Sequence, residues 1–192
     1  MNNLKGTTFV FLGRSGSGKG TQAHLLKEFL EKKGLDALYI YTGELGRRLA
    51  KKKSLAGKWV RGVLERGDFF RNWLAVFLWF DELKDKLVNQ DQVVIFDGTP
   101  RRLEEIRILD DLMADLGRPL PIIIYLDISE KEAVRRLLAR SRNDDTAATI
   151  RNRLRNFNRD VMPIIKKYSK RVVRIDGEGS IEEVWERLRK SL

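Results

Sequence analysis

The sequence predicts a doubly wound α/β fold, a five-stranded parallel sheet with helices on both faces. Three observations predict it. Five short runs are rich in Val, Ile, Phe and Tyr: Thr7 to Leu12, Ala37 to Tyr41, Val93 to Phe96, Ile122 to Leu126 and Val172 to Ile175. Most of them are continuously apolar rather than alternating, the pattern of strands covered on both faces. Longer segments of helical period separate them, as the crossover connections of a parallel sheet require. With 192 residues the chain has room for one hydrophobic core.

The elements follow in order. After the first run comes Gly13-Arg-Ser-Gly-Ser-Gly-Lys-Gly-Thr21, and then a helix marked by Leu25, Leu26, Phe29 and Leu30 and ended at Gly34. Between the second and third runs, Thr42 to Gln92 is longer than one crossover helix needs, so a helical insertion is predicted over 42–71. A further helix carries Leu74, Phe77, Leu78, Leu83 and Leu87. Phe69, Phe70, Trp73 and Trp79 stand near basic residues, but their helical spacing assigns them to the core rather than to a base-stacking surface. Pro119 and Pro121 close the loop before the fourth run, and Ser129 with Glu132 forms a capping-box pattern ahead of a basic helix.

Composition sets the outer limits. Hydrophobic residues make up 42% and charged residues 34%, and no apolar run approaches the roughly 20 residues of a membrane span. The amino terminus lacks a secretory pattern, so a cytoplasmic protein without a membrane partner is expected. With no cysteine there is no disulfide, thiolate zinc site or cysteine nucleophile. The single histidine, His24, reads as a surface or satisfied residue. The net charge of +11 is concentrated: 131–174 holds 14 Lys and Arg against 4 Asp and Glu. Such a stretch fits an RNA footprint, a phosphate site or a solvated helix face.

The glycine-rich loop narrows these possibilities. Its glycines let backbone N–H groups turn inward around an anion, the following helix start adds its positive end, and Lys19 reaches the outer phosphates. Asp97, closing the third run, sits where carboxylates at strand ends meet ligands, and could hold magnesium directly or through its waters.

Four ordered segments then resemble the adenylate kinase family of nucleoside monophosphate kinases. They are Gly16 to Gln22; Thr42-Gly43-Glu44-Leu45 with Arg47; Asp97-Gly98-Thr99-Pro100-Arg101; and Arg136, Arg140, Arg142-Asn-Asp144-Asp145 with Arg153-Leu154. The resemblance implies a P-loop kinase fold in which 42–71 is the acceptor-binding insertion. It also implies a donor ATP site at Gly16, Ser17, Gly18, Lys19, Gly20, Thr21, Arg136, Arg140 and Gly179. The implied acceptor site comprises Thr42, Arg47, Asp68, Phe69, Phe70, Gly98, Arg101, Glu105, Arg142 and Arg153. Lys19, Arg101, Arg140, Arg142 and Arg153 would carry the transfer, with magnesium and without zinc. Physics agrees with the arginines: a phosphoryl in transit spreads negative charge over its oxygens, and preorganised cations stabilise it. Arg136 and Arg140, four apart, project from one helix face.

Three departures matter. Only Ser141 separates Arg140 from Arg142, so the lid reduces to 140–142 and leaves the site more open to water. Glu105 stands where the family has a glutamine that reads adenine; an ionised carboxylate only accepts, which suits guanine or cytosine. Thr99, Arg14 and Ser15 also differ from the family pattern, and the sequence assigns them no consequence. The leading expectation is transfer from ATP to a nucleoside monophosphate, AMP first and GMP as the alternative, by a monomer with no nucleic-acid partner. A nucleotide-gated RNA- or ribosome-associated ATPase is the rival reading. A small-metabolite kinase is a further one, which Thr42, Arg47 and Arg101 disfavour.

Overall fold

The computed structural model describes residues 4–140 and 146–192. Its five strands, β1 (Thr8–Gly13), β2 (Ala37–Tyr41), β3 (Val93–Asp97), β4 (Ile122–Asp127) and β5 (Val172–Asp176), form one parallel sheet in the order β2-β3-β1-β4-β5. All five predicted strands are present, each within a residue or so of its expected ends.

The continuous apolar runs have the expected cause. Phe9 and Phe11 point to one face, packing with Leu26 and Leu30 of α1 (Lys19–Lys32) and Val184 and Leu188 of α9 (Ile181–Lys190). Val10 and Leu12 point to the other, into a core shared with α4 (Asn72–Lys86), α5 (Leu103–Asp115) and α8 (Met162–Lys167). Successive residues of a strand face opposite sides, so a doubly covered strand must be apolar at every position.

The segment 42–71 contains α2 (Thr42–Ala50), α3 (Leu55–Glu65) and the strap that leads to α4. Ser54 caps α3, its hydroxyl accepting from the Gly57 N–H at 3.1 Å. Leu45, Val60 and Val63 join the same core as Leu74 and Trp79, so this insertion has no separate core of its own. A small third cluster joins α6 (Glu130–Arg140) to α7 (Ala147–Asn156) through Ala133, Leu137, Ile150 and Leu154. A π-helical turn, Phe157–Val161, then links α7 to α8.

Two expectations need correction. The cap of α6 is half of a capping box: Ser129 Oγ accepts from the Glu132 N–H at 3.2 Å, but the Glu132 carboxylate takes Arg135 and Arg136 instead of returning to Ser129. Trp79 and Phe70 are core residues, but Trp73 is 64% exposed. Helix α4 is apolar over eight consecutive residues, Trp73 to Phe80, and spacing alone cannot say which of them faces inward.

Candidate active site

The order β2-β3-β1-β4-β5 places β1 between strands whose connections leave toward opposite edges, and a crevice opens at the carboxyl ends of the strands there. A cleft of about 530 Å³ occupies it. The loop after β1 forms its floor. Helix α1 begins at Lys19 with no side-chain cap and no acidic residue in its first turn, so its free N–H groups face the cleft as an anion site. Lys19 Nζ donates to the carbonyls of Gly13 and Arg14, both at 2.9 Å, which folds the side chain back over its own loop.

The loop rests on α6. Gly16 has φ +87°, and a Cβ there would lie 2.9 Å from the Ala133 carbonyl oxygen and 3.1 Å from Leu137 Cγ. Gly16→Ala is therefore expected to cost at least about 1–2 kcal/mol from the left-handed backbone alone and to weaken ATP binding by lifting the loop. Denaturant unfolding and an ATP titration check it; unchanged stability with unchanged affinity would show that the loop does not rest on this helix.

Arg14, to which the sequence assigns nothing, fastens the loop from the other side. Its Nη1 donates to the Ile128 carbonyl at 2.9 Å and lies 3.5 Å from Asp127 Oδ1, and its guanidinium lies over the Phe157 ring, 5.0 Å from the centroid.

Among the described residues six cations line the cleft, Lys19, Arg47, Arg101, Arg136, Arg140 and Arg153, against the carboxylates Glu44, Asp68 and Asp97. Burial lowers Lys19 to about 8, with the charges of Arg101 and Arg140 adding to the shift and Asp97 opposing it. Burial also lowers Arg101 from its ordinary range. Arg101 is held over an aromatic ring: its guanidinium lies 4.2 Å from the Phe69 ring centroid. Arg47 lies 5.1 Å from the Tyr41 ring centroid. Arg136 donates to Glu132 at 2.6 Å and to the Gly179 carbonyl at 3.3 Å.

Asp97 is 4% exposed and accepts from the Tyr39 hydroxyl at 3.0 Å. Burial, followed by the Asp97 charge, raises the Tyr39 phenol well above its ordinary value, so it stays a donor. Sequence reasoning misses Tyr39 and Tyr41 as site residues. The available signal is their i, i+2 spacing at the carboxyl end of the second strand, which puts both on the side facing the cleft.

Not every residue expected in the site lines the cleft. Gly16, Gly18, Lys19, Gly20, Thr21, Gly98, Asp68 and Phe70 do, together with the arginines above. Ser17 and Thr42 lie just behind it, 1% and 2% exposed, with Oγ atoms that have no hydrogen-bond partner among the described residues. Phe69 stands behind Arg101, and Gly179 meets the cleft only through Arg136. Arg142, Asp144 and Asp145, and with them most of the reduced lid 140–142, lie outside the described residues.

Glu105 differs most from expectation. It is 1% exposed, and its Oε2 accepts from the Arg101 N–H at 2.7 Å and from the Thr99 hydroxyl at 3.2 Å. Its carboxylate thus secures the turn that presents Arg101 and does not form part of the cleft wall. Burial raises its pKa, with the Arg101 N–H and the Arg101 and Arg102 guanidinium groups working the other way.

The strap between α3 and α4 is fastened to α7. Asn152 Nδ2 donates to the Arg66 carbonyl at 2.8 Å and to Asp68 Oδ1 at 2.7 Å, beside Arg153.

Comparison with known proteins matches residues 11–173 to the adenylate kinase family profile. An adenylate kinase of Thermus thermophilus is 36% identical over 193 residues, covering 97% of each chain. An adenylate kinase of Azobacteroides pseudotrichonymphae is 37% identical over 183 residues, 92% of each chain. One from Nocardia farcinica is 32% identical over 186 residues, 95% of this chain and 97% of its own.

Proposed function

Because the chain belongs to the adenylate kinase family, we propose that it catalyses the reversible, magnesium-dependent transfer of the terminal phosphoryl of ATP to AMP, giving two ADP. The observation that carries this reading is the cleft itself, in which an uncapped helix start and, among the described residues, six cationic side chains converge on one space. Phosphoryl transfer asks little covalent chemistry of a protein; positioning and preorganised positive charge supply most of the rate.

In this reading the N–H groups of 16–21 and Lys19 hold the donor phosphates. Arg136 meets the donor at the rim. Thr42, whose buried hydroxyl is unpaired among the described residues, and Arg47 and Arg101 hold the acceptor monophosphate, the arginines through forked donors that a lysine could not supply. Arg140 and Arg153 bring charge to the phosphoryl in flight from α6 and α7. Phe70 and Leu64 form the apolar side of the acceptor space; Phe70 fits only because Gly46 has no side chain, since a Cβ there would lie 2.2 Å from the ring. Glu105 acts by positioning Arg101.

The cleft fits a magnesium ion carried in by the donor phosphates, which needs only one or two protein carboxylates. Asp97, buried beside the loop and oriented by Tyr39, is the carboxylate that would hold it or its waters. Bound there, magnesium would neutralise charge on the donor phosphate oxygens. No group of three or more His, Asp or Glu able to cage a metal occurs among the described residues.

The RNA-factor reading is not favoured. Much of the basic stretch 131–174 is engaged: Arg136, Arg140 and Arg153 line the cleft, Arg171 pairs with Asp110 through two bonds of 2.8 and 2.7 Å, and Arg174 pairs with Asp127. Among the described residues no helix is long and apolar enough to cross a membrane.

A coupled assay with ATP and each of AMP, GMP, CMP and UMP tests the assignment. AMP is expected to lead by at least about tenfold in kcat/KM, an increment of about 1.4 kcal/mol that a few base contacts supply. A preference for GMP would overturn the choice of acceptor while leaving the transfer chemistry standing.

A further inference from the structure

Behind the acceptor side of the cleft lies a second groove of about 660 Å³, within the size range of small-ligand sites. Its upper wall is a pair of indoles from different helices. Trp59 of α3 and Trp73 of α4 stack with ring centroids 5.8 Å apart and planes 22° from parallel, and they are 39% and 64% exposed. A preformed, open aromatic platform of this kind is uncommon on a soluble surface, where large apolar side chains are normally covered.

The rest of the lining is cationic and polar. Among the described residues it holds four arginines against one carboxylate, Asp68, and the amides of Asn72 and Asn156. Arg102 and Arg159 are committed within the protein, the first to the Phe70 carbonyl and Asn72, the second to Asp160 at 2.7 and 2.8 Å. Arg66 is 60% exposed and uses its Nε on Asp68 at 2.9 Å, leaving its outer nitrogens available. The exposed Arg71 side chain makes no hydrogen bond or ion pair among the described residues. Asn156, 3% exposed, reaches the groove from its floor.

An aromatic plate with free guanidinium donors beside it matches a planar base that carries a phosphate. The base stacks and the phosphate meets the arginines. We propose that this groove binds a nucleotide unit, with the base on Trp73 and the phosphate on Arg71 and Arg66, at a site separate from the transfer cleft. The ligand is either a free mononucleotide or one residue of a single-stranded RNA; both present the same groups. The two sites share a wall: Asp68 lines both, and Phe69 lines the groove while bearing Arg101 on its ring.

The test uses the full-length protein with magnesium and saturating ATP and AMP, so that the transfer cleft is occupied. Fluorescein-labelled octauridylate is followed by anisotropy at low salt, with UMP as competitor. The expected result is binding that survives saturating ATP and AMP and weakens about tenfold or more in Trp73→Ala and in Arg71→Ala. Trp73→Phe should restore it, and all three variants should keep the parent transfer rate. Displacement of the probe by UMP at similar concentration per nucleotide identifies a free nucleotide as the ligand; retention against UMP identifies single-stranded RNA. Loss of binding on adding ATP and AMP, or equal binding by parent and both Ala variants, would overturn the proposal. So would a Trp73-dependent effect confined to anionic vesicles or to self-association, because the platform would then serve another partner. Failure here with an intact transfer rate leaves the assigned transfer function untouched.

Discussion

Lys19→Met is expected to reduce kcat/KM for ATP by roughly 10²–10³, the loss found when one preorganised charge facing a transition state is removed. Lys19 is the only cation that the phosphate loop itself contributes to the cleft, and its Nζ sits over the loop on the Gly13 and Arg14 carbonyls. The same substitution should change how stability depends on pH. Burial lowers Lys19 to about 8 from 10.5, so in the ligand-free fold the charged form is disfavoured. Below about 8 the lysine is protonated in both folded and unfolded chains, and the folded state bears the full penalty. Between about 8 and 10.5 the unfolded chain binds more protons than the folded one, so stability contributed by this group rises with pH. The parent should therefore gain stability relative to Lys19→Met across that window, on the order of 1–3 kcal/mol in full. Urea unfolding of both proteins at about pH 7, 8.5 and 10, spanning that window, measures it. Parallel stability curves would show that the lysine is not desolvated, and undiminished transfer would remove it from the donor site.

Arg101→Lys should act on the other substrate. The parent residue is fixed at both ends, its backbone N–H on Glu105 and its guanidinium over the Phe69 ring. Lysine keeps the charge but loses the forked donors, so kcat/KM for AMP should fall by roughly 10–100-fold while KM for ATP changes little. A subsidiary arm distinguishes position from charge: Glu105→Gln, which retains an acceptor for the Arg101 N–H, should impair AMP use far less than Arg101→Lys. Initial rates with each substrate varied in turn settle the matter. An equal rise in both KM values would mean that Arg101 serves the cleft as a whole instead of gripping the acceptor.

The sheet is legible in the sequence because its physics is local: a strand covered on both faces has few polar positions to confuse the pattern, as in β1, β3 and β4, while the edge strand β5, with Arg174 and Asp176 exposed, is read from Val172, Val173 and Ile175. The loop from Gly13 to Thr21 is legible for the same reason, since glycine spacing, lysine and helix start lie within nine residues. What escapes depends on distant partners. Glu105 reads as a base-recognition residue until the turn at 99–101 folds back over its carboxylate. Arg14 has no meaning until the end of β4 and the π-helical turn meet it. Trp73 reads as a core residue because α4 is apolar around its first two turns, and only Trp59, arriving from another helix, gives it a reason to remain outside.

Asn152 makes another of these long-range contacts. One amide nitrogen pins the strap at Arg66 and Asp68 to α7, one residue before Arg153. The strap that carries Asp68 and the helix that carries Arg153 are therefore tied into one piece, so that a change displacing either is transmitted to the other.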